Sequence, residues 1–346
     1  MSWLTIFGEL KMPKTTALIE IGRLCIHNAN AISGPLSWGF PAPSAFTGFV
    51  HALDRHLDDA QFGGVGIICH QFDSQAVKPR GGYTHSFKLM RHPYKASWRQ
   101  NPFKPDKPSA IIEEGRAHLE VTLLIELRGD EPHTEDEYKN LSEKIQTMVS
   151  GMRIAGGALH RASPDVEIHN WPETEEDAKK VFRHKRYRWL PGFALVERRD
   201  LLDRHLGWLR QQASETDRLE AMLDLLAMHI KPETPDKPDD KPGLSAEKAS
   251  RKTDSTEWVS TKRNLGWLVP LPVGYGALSE LYEPGSVRNV RDMTIPFRFV
   301  ESLYSVGQWL SPHRLTSIEQ LLWHMESDVK NGLYLCRNYY QEQLNA

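Results

Sequence analysis

Apolar residues fall along the first 160 positions in two alternating rhythms. Leu18 to His27 is a dense apolar run that predicts a strand. After a long connection, Phe46, Phe49, Val50, Leu53 and Leu57 recur at helical spacing, with Ser44 placed to cap the helix and Gly63-Gly64 to end it. Val65 to Phe72 predicts a second strand. Ala117, Leu119, Val121, Leu123, Ile125 and Leu127 alternate with more polar neighbours, the period of a half-buried strand. Glu135 to Met152 places Leu141, Ile145, Met148, Val149 and Met152 on one helical face, and Ile154 to His160 predicts a fourth strand around Gly156-Gly157. Strand, helix, strand, strand, helix, strand is the ferredoxin-like order. The expected class is therefore α+β, with a ferredoxin-like core over residues 1–160.

The rhythm changes beyond this core. Glu173 to Trp189 runs from acidic to basic, which suits a helix dipole at both ends. A short strand at Gly192 to Glu197 and two helices, marked by Leu202, Leu206 and Leu209 and then by Leu219 to Ile230, make 161–230 a helical and basic connecting region. Lys231 to Glu257 carries Pro232, Pro235, Pro238 and Pro242 among many charges, so 231–257 is expected to be a disordered linker. Residues 258–346 are expected to form a β-rich C-terminal lobe, with strands at Trp267–Val273 and Ile295–Leu303 and a closing helix from about His313 to Ser327.

Composition narrows the class. The 346 residues carry a net charge of −2, so no overall basic field points to nucleic acid, but the charge is uneven. Between Lys78 and Lys107, eight lysines and arginines face a single acid, Asp106, and Tyr83, Phe87, Tyr94, Trp98 and Phe103 are interleaved among them. This stretch, about 78–110, replaces the hairpin expected between the second and third strands and is expected to project as a thumb. Lys78, Arg80, Tyr83, Lys88, Arg91, Trp98 and Arg99 are its candidate contacts. Cations meet phosphate and aromatics stack on unpaired bases; docking on an acidic partner protein is the other reading. The three cysteines, Cys25, Cys69 and Cys336, form no CxxC pair, which excludes a zinc ribbon and fits thiols in a reducing cytoplasm. No apolar run reaches membrane-spanning length, and the N-terminus lacks the basic region of a signal peptide.

The loop from Asn28 to Gly48 is far longer than a strand-to-helix connection requires. Asn28, Asn30 and Ser33 offer donors and acceptors for base edges, and Trp38 and Phe40 offer stacking faces, between prolines and glycines that fix the backbone. A rigid loop packing its own aromatics is the alternative. Further basic clusters are candidate RNA-phosphate contacts, at Arg183 to Trp189, including Arg183 and Arg186, and at Arg288, Asn289, Arg291 and Arg298; a solvated helix and local ion pairs are the respective alternatives. Gly274-Tyr275-Gly276 after a strand reads as a turn or a phosphate-approaching backbone, without a Walker lysine or GxGxxG. Fifteen histidines show no metal-ligand spacing, and no nucleophile elbow is present. His118 and Glu120, preceded by Glu113 and Glu114, remain a minor candidate for a metal site. The RNA-recognition hallmark of a standard RRM is absent.

Several longer motifs carry a resemblance. Asn28-Ala-Asn-Ala-Ile-Ser with Pro35-Leu-Ser-Trp-Gly-Phe-Pro41, Ala45-Phe-Thr-Gly-Phe-Val-His-Ala-Leu53, Glu113-Glu-Gly-Arg-Ala-His-Leu-Glu-Val121, Gly151-Met-Arg-Ile-Ala-Gly-Gly157, Leu190-Pro-Gly-Phe-Ala-Leu-Val196, Gly266-Trp-Leu-Val-Pro270 and Trp309-Leu-Ser-Pro-His-Arg314 resemble the second Csy subunit of type I-F CRISPR surveillance complexes. The resemblance spans roughly residues 18 to 335. That family lies in the RAMP superfamily, which implies a ferredoxin-like (RAMP/RRM-like) core with a thumb-like extension. It implies a non-catalytic subunit, with no cofactor or metal, that caps the 5′ handle of the CRISPR RNA in the cytoplasm. The implied partners are that RNA, the large Csy subunit in a heterodimer, the backbone Csy subunit of the filament and, through the complex, target DNA. Asn28, Asn30, Ser33, Trp38 and Phe40 become handle contacts, and Arg116, Arg153, Arg288 and Arg291 phosphate contacts. A RAMP endoribonuclease acting on repeat RNA and a purely structural adaptor are the competing expectations.

Overall fold

The computed structural model describes residues 14–57, 60–82, 84–87, 89–91, 111–129, 134–160, 164–228, 230–233, 257–260 and 265–342. Strand β1 (Lys14–Asn30) is followed by helix α1 (Pro43–Asp54) and strand β2 (Gln61–Ser74). The chain then makes two short antiparallel ladders, β3 (Ala76–Val77) with β4 (Ser86–Phe87) and β5 (Leu89–Arg91) with β6 (Ile111–Glu113), before strand β7 (Arg116–Gly129). Helix α2 (Glu135–Gly151), the short strands β8 (Arg153–Ile154) and β9 (Gly157–Leu159), and strand β10 (Asp165–Asn170) complete the first half. The strands lie in the order β10, β1, β7, β2, each antiparallel to its neighbour. Phe46, Phe49, Val50 and Leu53 of α1 and Tyr138, Leu141, Ile145 and Val149 of α2 cover one face, meeting Ile19, Ile21, Ile67, Leu123 and Ile125.

Two local expectations are corrected here. Helix α1 starts at Pro43, with Ala42 before it and no side-chain cap; Ser44 is already helical, and the fixed φ of Pro43 supplies the start. The strand expected at Ile154–His160 is a small hairpin, turning at Ala155 (φ 50°) and Gly156 (φ 75°). Its second strand β9 does pair with β1, at Ile26↔Leu159 and His27↔Ala158, but most of that edge of β1 is taken by β10, over six residue pairs from Ala17↔Asn170 to Gly22↔Asp165.

Helix α3 (Glu175–Lys185) packs on the opposite face, where Ala178, Phe182 and Trp189 meet Leu18, Ile68 and Leu124. Strand β11 (Phe193–Glu197) and helices α4 (Arg199–Arg210) and α5 (Arg218–Leu226) follow. Strands β12 (Ile230–Glu233) and β13 (Glu257–Ser260) then pair with each other. The expected linker at 231–257 thus enters and leaves through a two-stranded ladder, and residues 234–256 lie outside the described residues. Strands β14 (Trp267–Ala277), β15 (Val300–Leu310), β16 (Leu322–Asp328) and β17 (Leu333–Asn338) come last.

Their pairing makes a circuit. β11 pairs β15, β15 pairs β14, β14 pairs β17, β17 pairs β16, and β16 returns to β2 at Leu322↔Gly66. β11 also pairs β2, at Ala194↔Ile68. The outer edge of β2 is therefore covered by strands from the second half, and the C-terminal strands continue the sheet of the core. The closing helix expected at 313–327 is corrected: only Pro312–Arg314 turns as a 3₁₀ helix, and Leu322–Asp328 is a strand. Leu321, Leu322 and Trp323 are all buried in succession, a pattern that a strand with two covered faces satisfies and a one-faced helix does not. The strand expected from Ile295 begins at Val300, because residues 278–299 form an exposed loop closed by Leu278 N–H to Phe299 O at 2.9 Å.

A buried carboxylate ties the start of β1 to β2 and β7. Glu126 accepts from Thr15 Oγ1 at 2.5 Å, from Gly64 N at 3.0 Å and from Arg128 Nη2 at 2.8 Å. Burial pushes its pKa up, but these donors outweigh burial and hold it below the usual carboxylate value. Glu126→Gln is expected to lose on the order of 2 kcal/mol near neutral pH. A lowered folded pKa gives stability that is present above the unfolded value and lost as pH falls through the folded one. The gap between wild type and variant should therefore narrow below about pH 4, measurable by urea melts across pH; a gap that widens in acid would refute the assignment.

Candidate nucleic-acid interface

The candidate loop starts at a defect in β1. The β1–β7 register slips between Ile26 and Ala29, so His27 and Asn28 bulge out of the ladder. Asn28 takes φ 58°, a conformation asparagine tolerates better than most residues. Gln75 Nε2 donates to Asn28 Oδ1 at 2.7 Å and lies 3.0 Å from His118 Nε2, which places the His118 proton on Nδ1. That Nδ1 is buried without a hydrogen-bond partner among the described residues. The His27 ring lies between His118, edge-on at 4.7 Å, and His160, stacked at 4.3 Å. Burial, and the His160 and His118 imidazoles, lower the His27 pKa. Arg116 grips Glu114 with two nitrogens at 2.9 and 3.1 Å and also donates to Asn28 O at 3.3 Å.

Beyond Asn28 the loop is bonded to itself. Asn30 spends both ends of its amide on Ile32, and its N–H reaches Ala155 O. Ser33 Oγ lies 3.0 Å from Ser37 Oγ, Gly34 pairs with Ser37, and Gly39 N–H returns to Ala31 O at 2.7 Å. Tyr304 OH accepts from Leu36 N at 2.9 Å and anchors the tip. The two aromatics part company. Phe40 packs against Phe46, Trp309 and Phe72, as a wedge under the loop. Trp38 is 49% exposed, touching Phe87 edge-on at 5.2 Å and His85 at 6.1 Å. Asn30, Ser33 and Phe40 therefore shape the loop, as a rigid self-packed loop requires, while Trp38 and Asn28 are exposed.

The basic candidates also divide. Arg153 donates to Gly156 O at 3.2 Å across the β8–β9 turn. Arg183 is exposed on α3 without a partner among the described residues, whereas Arg186 turns inward to Leu315 O at 2.5 Å and lies over the Tyr187 ring. Arg288 and Arg291 are exposed in the 278–299 loop, without partners among the described residues. In the basic stretch Lys78 and Arg80 are exposed and Arg91 pairs with Ile111 through its backbone. Tyr83, Lys88, Trp98 and Arg99 lie outside the described residues. Glu120 is engaged by Arg23 at 2.6 Å and His118 by Gln75, so the two do not converge; among the described residues no three histidine, cysteine, aspartate or glutamate side chains gather to hold a metal. Gln75, His27 and His160 carried no signal in the sequence, because the bulge that gathers them breaks the alternation by which neighbours are read.

The family model described as "CRISPR-associated protein (Cas_Csy2)" matches residues 19–336. The chain belongs to the Cas_Csy2 family. A relative of that family, "CRISPR-associated protein Csy2" of Pseudomonas aeruginosa (strain UCBPP-PA14), is 42% identical over 329 residues, covering 92% of this chain and 94% of the relative. The Csy2 assignment makes this chain a type I-F Csy subunit. Among the described residues no helix is long and apolar enough to cross a membrane.

Proposed function

We propose that this chain is a non-catalytic, cytoplasmic CRISPR RNA-binding subunit that caps the 5′ handle of the guide RNA. It would join the large Csy subunit to the backbone filament of the surveillance complex in antiviral defence, with target DNA read by guide pairing rather than by this chain. The observation that carries the reading is the self-bonded loop at 31–40, which leaves Trp38 exposed at its far side while Arg116 is bonded to the Asn28 bulge at its start. Such a pairing suits one stacked base and the phosphates flanking it. The strand order β10, β1, β7, β2 with two helices on one face supports a ferredoxin-like RAMP core. The two ladders between β2 and β7 support a thumb rooted next to Trp38, since Phe87 of β4 touches it. Arg153, Arg183, Arg288 and Arg291 are proposed as further phosphate contacts; Arg186 is withdrawn from that role by its bond to Leu315.

Binding of the 5′ handle RNA, compared with scrambled RNA of equal length at two salt concentrations, tests this reading. The chain should be co-purified with its large-subunit partner. The wild type is expected to prefer the handle and leave it uncleaved. Asn28→Ala with Trp38→Ala is expected to weaken handle binding by about tenfold or more, given roughly 1–3 kcal/mol per stacked base. Equal binding of both RNAs, with the protein complex intact, would leave a structural adaptor. Cleavage of repeat RNA that His118→Ala abolishes would make the chain an endoribonuclease instead.

A further inference from the structure

A cleft opens on the sheet face away from α1 and α2. It encloses about 310 Å³ and is lined by Glu20, Gly22, Arg23, Cys25, Thr122, Asp165 and Arg188 among others. Its wall is another bulge in β1: Ile21 pairs Leu123 and Leu24 pairs Val121, so Gly22 and Arg23 together oppose Thr122. Arg23 sits at φ 44°, strained for a residue with a side chain, and its N–H bonds Thr122 Oγ1 at 3.1 Å in place of a ladder bond. The bulge brings the Arg23 guanidinium to the cleft, where Glu120 holds one of its nitrogens at 2.6 Å. Arg188 reaches the same cleft with one nitrogen on Glu167 at 2.8 Å. Each guanidinium keeps further donors unspent. Glu20 Oε2 is buried, with no hydrogen bond of normal length among the described residues; His169 Nε2 stands 3.6 Å from it and 3.3 Å from Glu167 Oε2, and the Trp189 indole also faces the Glu20 carboxylate. Gly22 leaves the space open, since a Cβ there would meet nothing nearer than 4.0 Å.

We infer that this cleft receives a single unstacked nucleotide of the bound RNA, an inference that rests on the RNA-binding reading above. The cavity volume lies in the range of small-ligand sites. Two guanidiniums suit a phosphate. The Asp165 carboxylate at the rim accepts N–H donors, which favours a base with an exocyclic amine (guanine, adenine or cytosine) over uracil, whose single edge donor, N3–H, is flanked by two carbonyl oxygens that a carboxylate repels. None of these residues belongs to the loop around Trp38, so the RNA would be held at two points along β1.

The protein carries its own reporter. Cys25 lines the cleft and is half-buried, while Cys69 and Cys336 are buried with thiol pKa values raised by burial, Cys69 to about 12. Alkylation of the full chain by N-ethylmaleimide, with sites mapped by mass spectrometry, should therefore report Cys25. Saturating handle RNA is expected to slow that alkylation by about tenfold, and oligouridine of equal length should not. Gly22→Phe is expected to fill the cleft and remove the protection, with its melting curve recorded to confirm folding. Handle RNA that binds in a gel shift while Cys25 reacts at the free rate would overturn the cleft and leave RNA binding standing. Failure of the wild-type chain to bind handle RNA would overturn the reading beneath it. Protection by oligouridine equal to that by the handle would overturn the preference for an amine-bearing base.

Discussion

Gly274→Ala is expected to destabilise the protein by at least about 3 kcal/mol and to leave much of it insoluble. Gly274 lies at φ 148°, where the β14–β15 register slips after Pro272. A Cβ at this position would stand 2.0 Å from the Tyr334 carbonyl oxygen and 2.9 Å from Leu335 Cα. Both are backbone atoms of β17, so no side-chain rotation relieves the clash and the strands must part. Conformational strain of about 1–3 kcal/mol adds to the lost pairing. Urea denaturation gives the comparison, with Gly48→Ala as the control. Gly48 is in α1 with nothing within 4 Å of its Cβ position, so that change should stabilise slightly. A Gly274→Ala protein that melts like the wild type but fails to bind RNA would instead restore the phosphate-approach reading of Gly274-Tyr275-Gly276.

Trp323→Ala is expected to lose about 3–5 kcal/mol. Trp323 is fully buried, pairs with Val65 of β2, and donates its indole N–H to Leu195 O of β11 at 2.9 Å. One side chain thus joins three strands of the circuit around the edge of β2. Its removal leaves both a cavity and a buried carbonyl without that donor. Trp323→Phe keeps most of the volume and loses the bond, so it should fall between the two. Equal losses from both variants would show that the hydrogen bond, and not the packing, holds the junction.

The first half of the fold was legible because its long elements each keep one period. The alternation from Ala117 to Leu127 and the helical spacing from Phe46 to Leu53 are both buried on the faces that the sequence implied. Legibility failed where tertiary pairing decided the outcome. Leu315, Ile318, Leu321 and Leu322 have helical spacing, yet they enter the core through a loop and a strand because β2 and β17 offer backbone partners there. The candidate loop was recognisable by its length and chemistry, but nothing in its sequence separates Trp38, which faces outward, from Phe40, which packs under it. The bulges of β1 at Gly22–Arg23 and at His27–Asn28 were invisible, and they are what shape the Arg23 cleft in mid-strand and gather His27, Asn28 and Gln75 at the strand's end.

The closing of the circuit has a consequence for how the chain is made. The outer edge of β2, at residues 65 to 69, finds its partners only in residues some 125 and 255 positions later, at Phe193–Ala194 and Leu322–Trp323. On the ribosome that edge is complete in sequence long before anything can cover it. An uncovered apolar strand edge invites pairing with other chains. Contacts of such separation also form slowly. Synthesis of the last tenth of the protein therefore governs whether the first fifth stays soluble, and a nascent chain stalled before Leu322 would emerge with its central sheet still open to its neighbours.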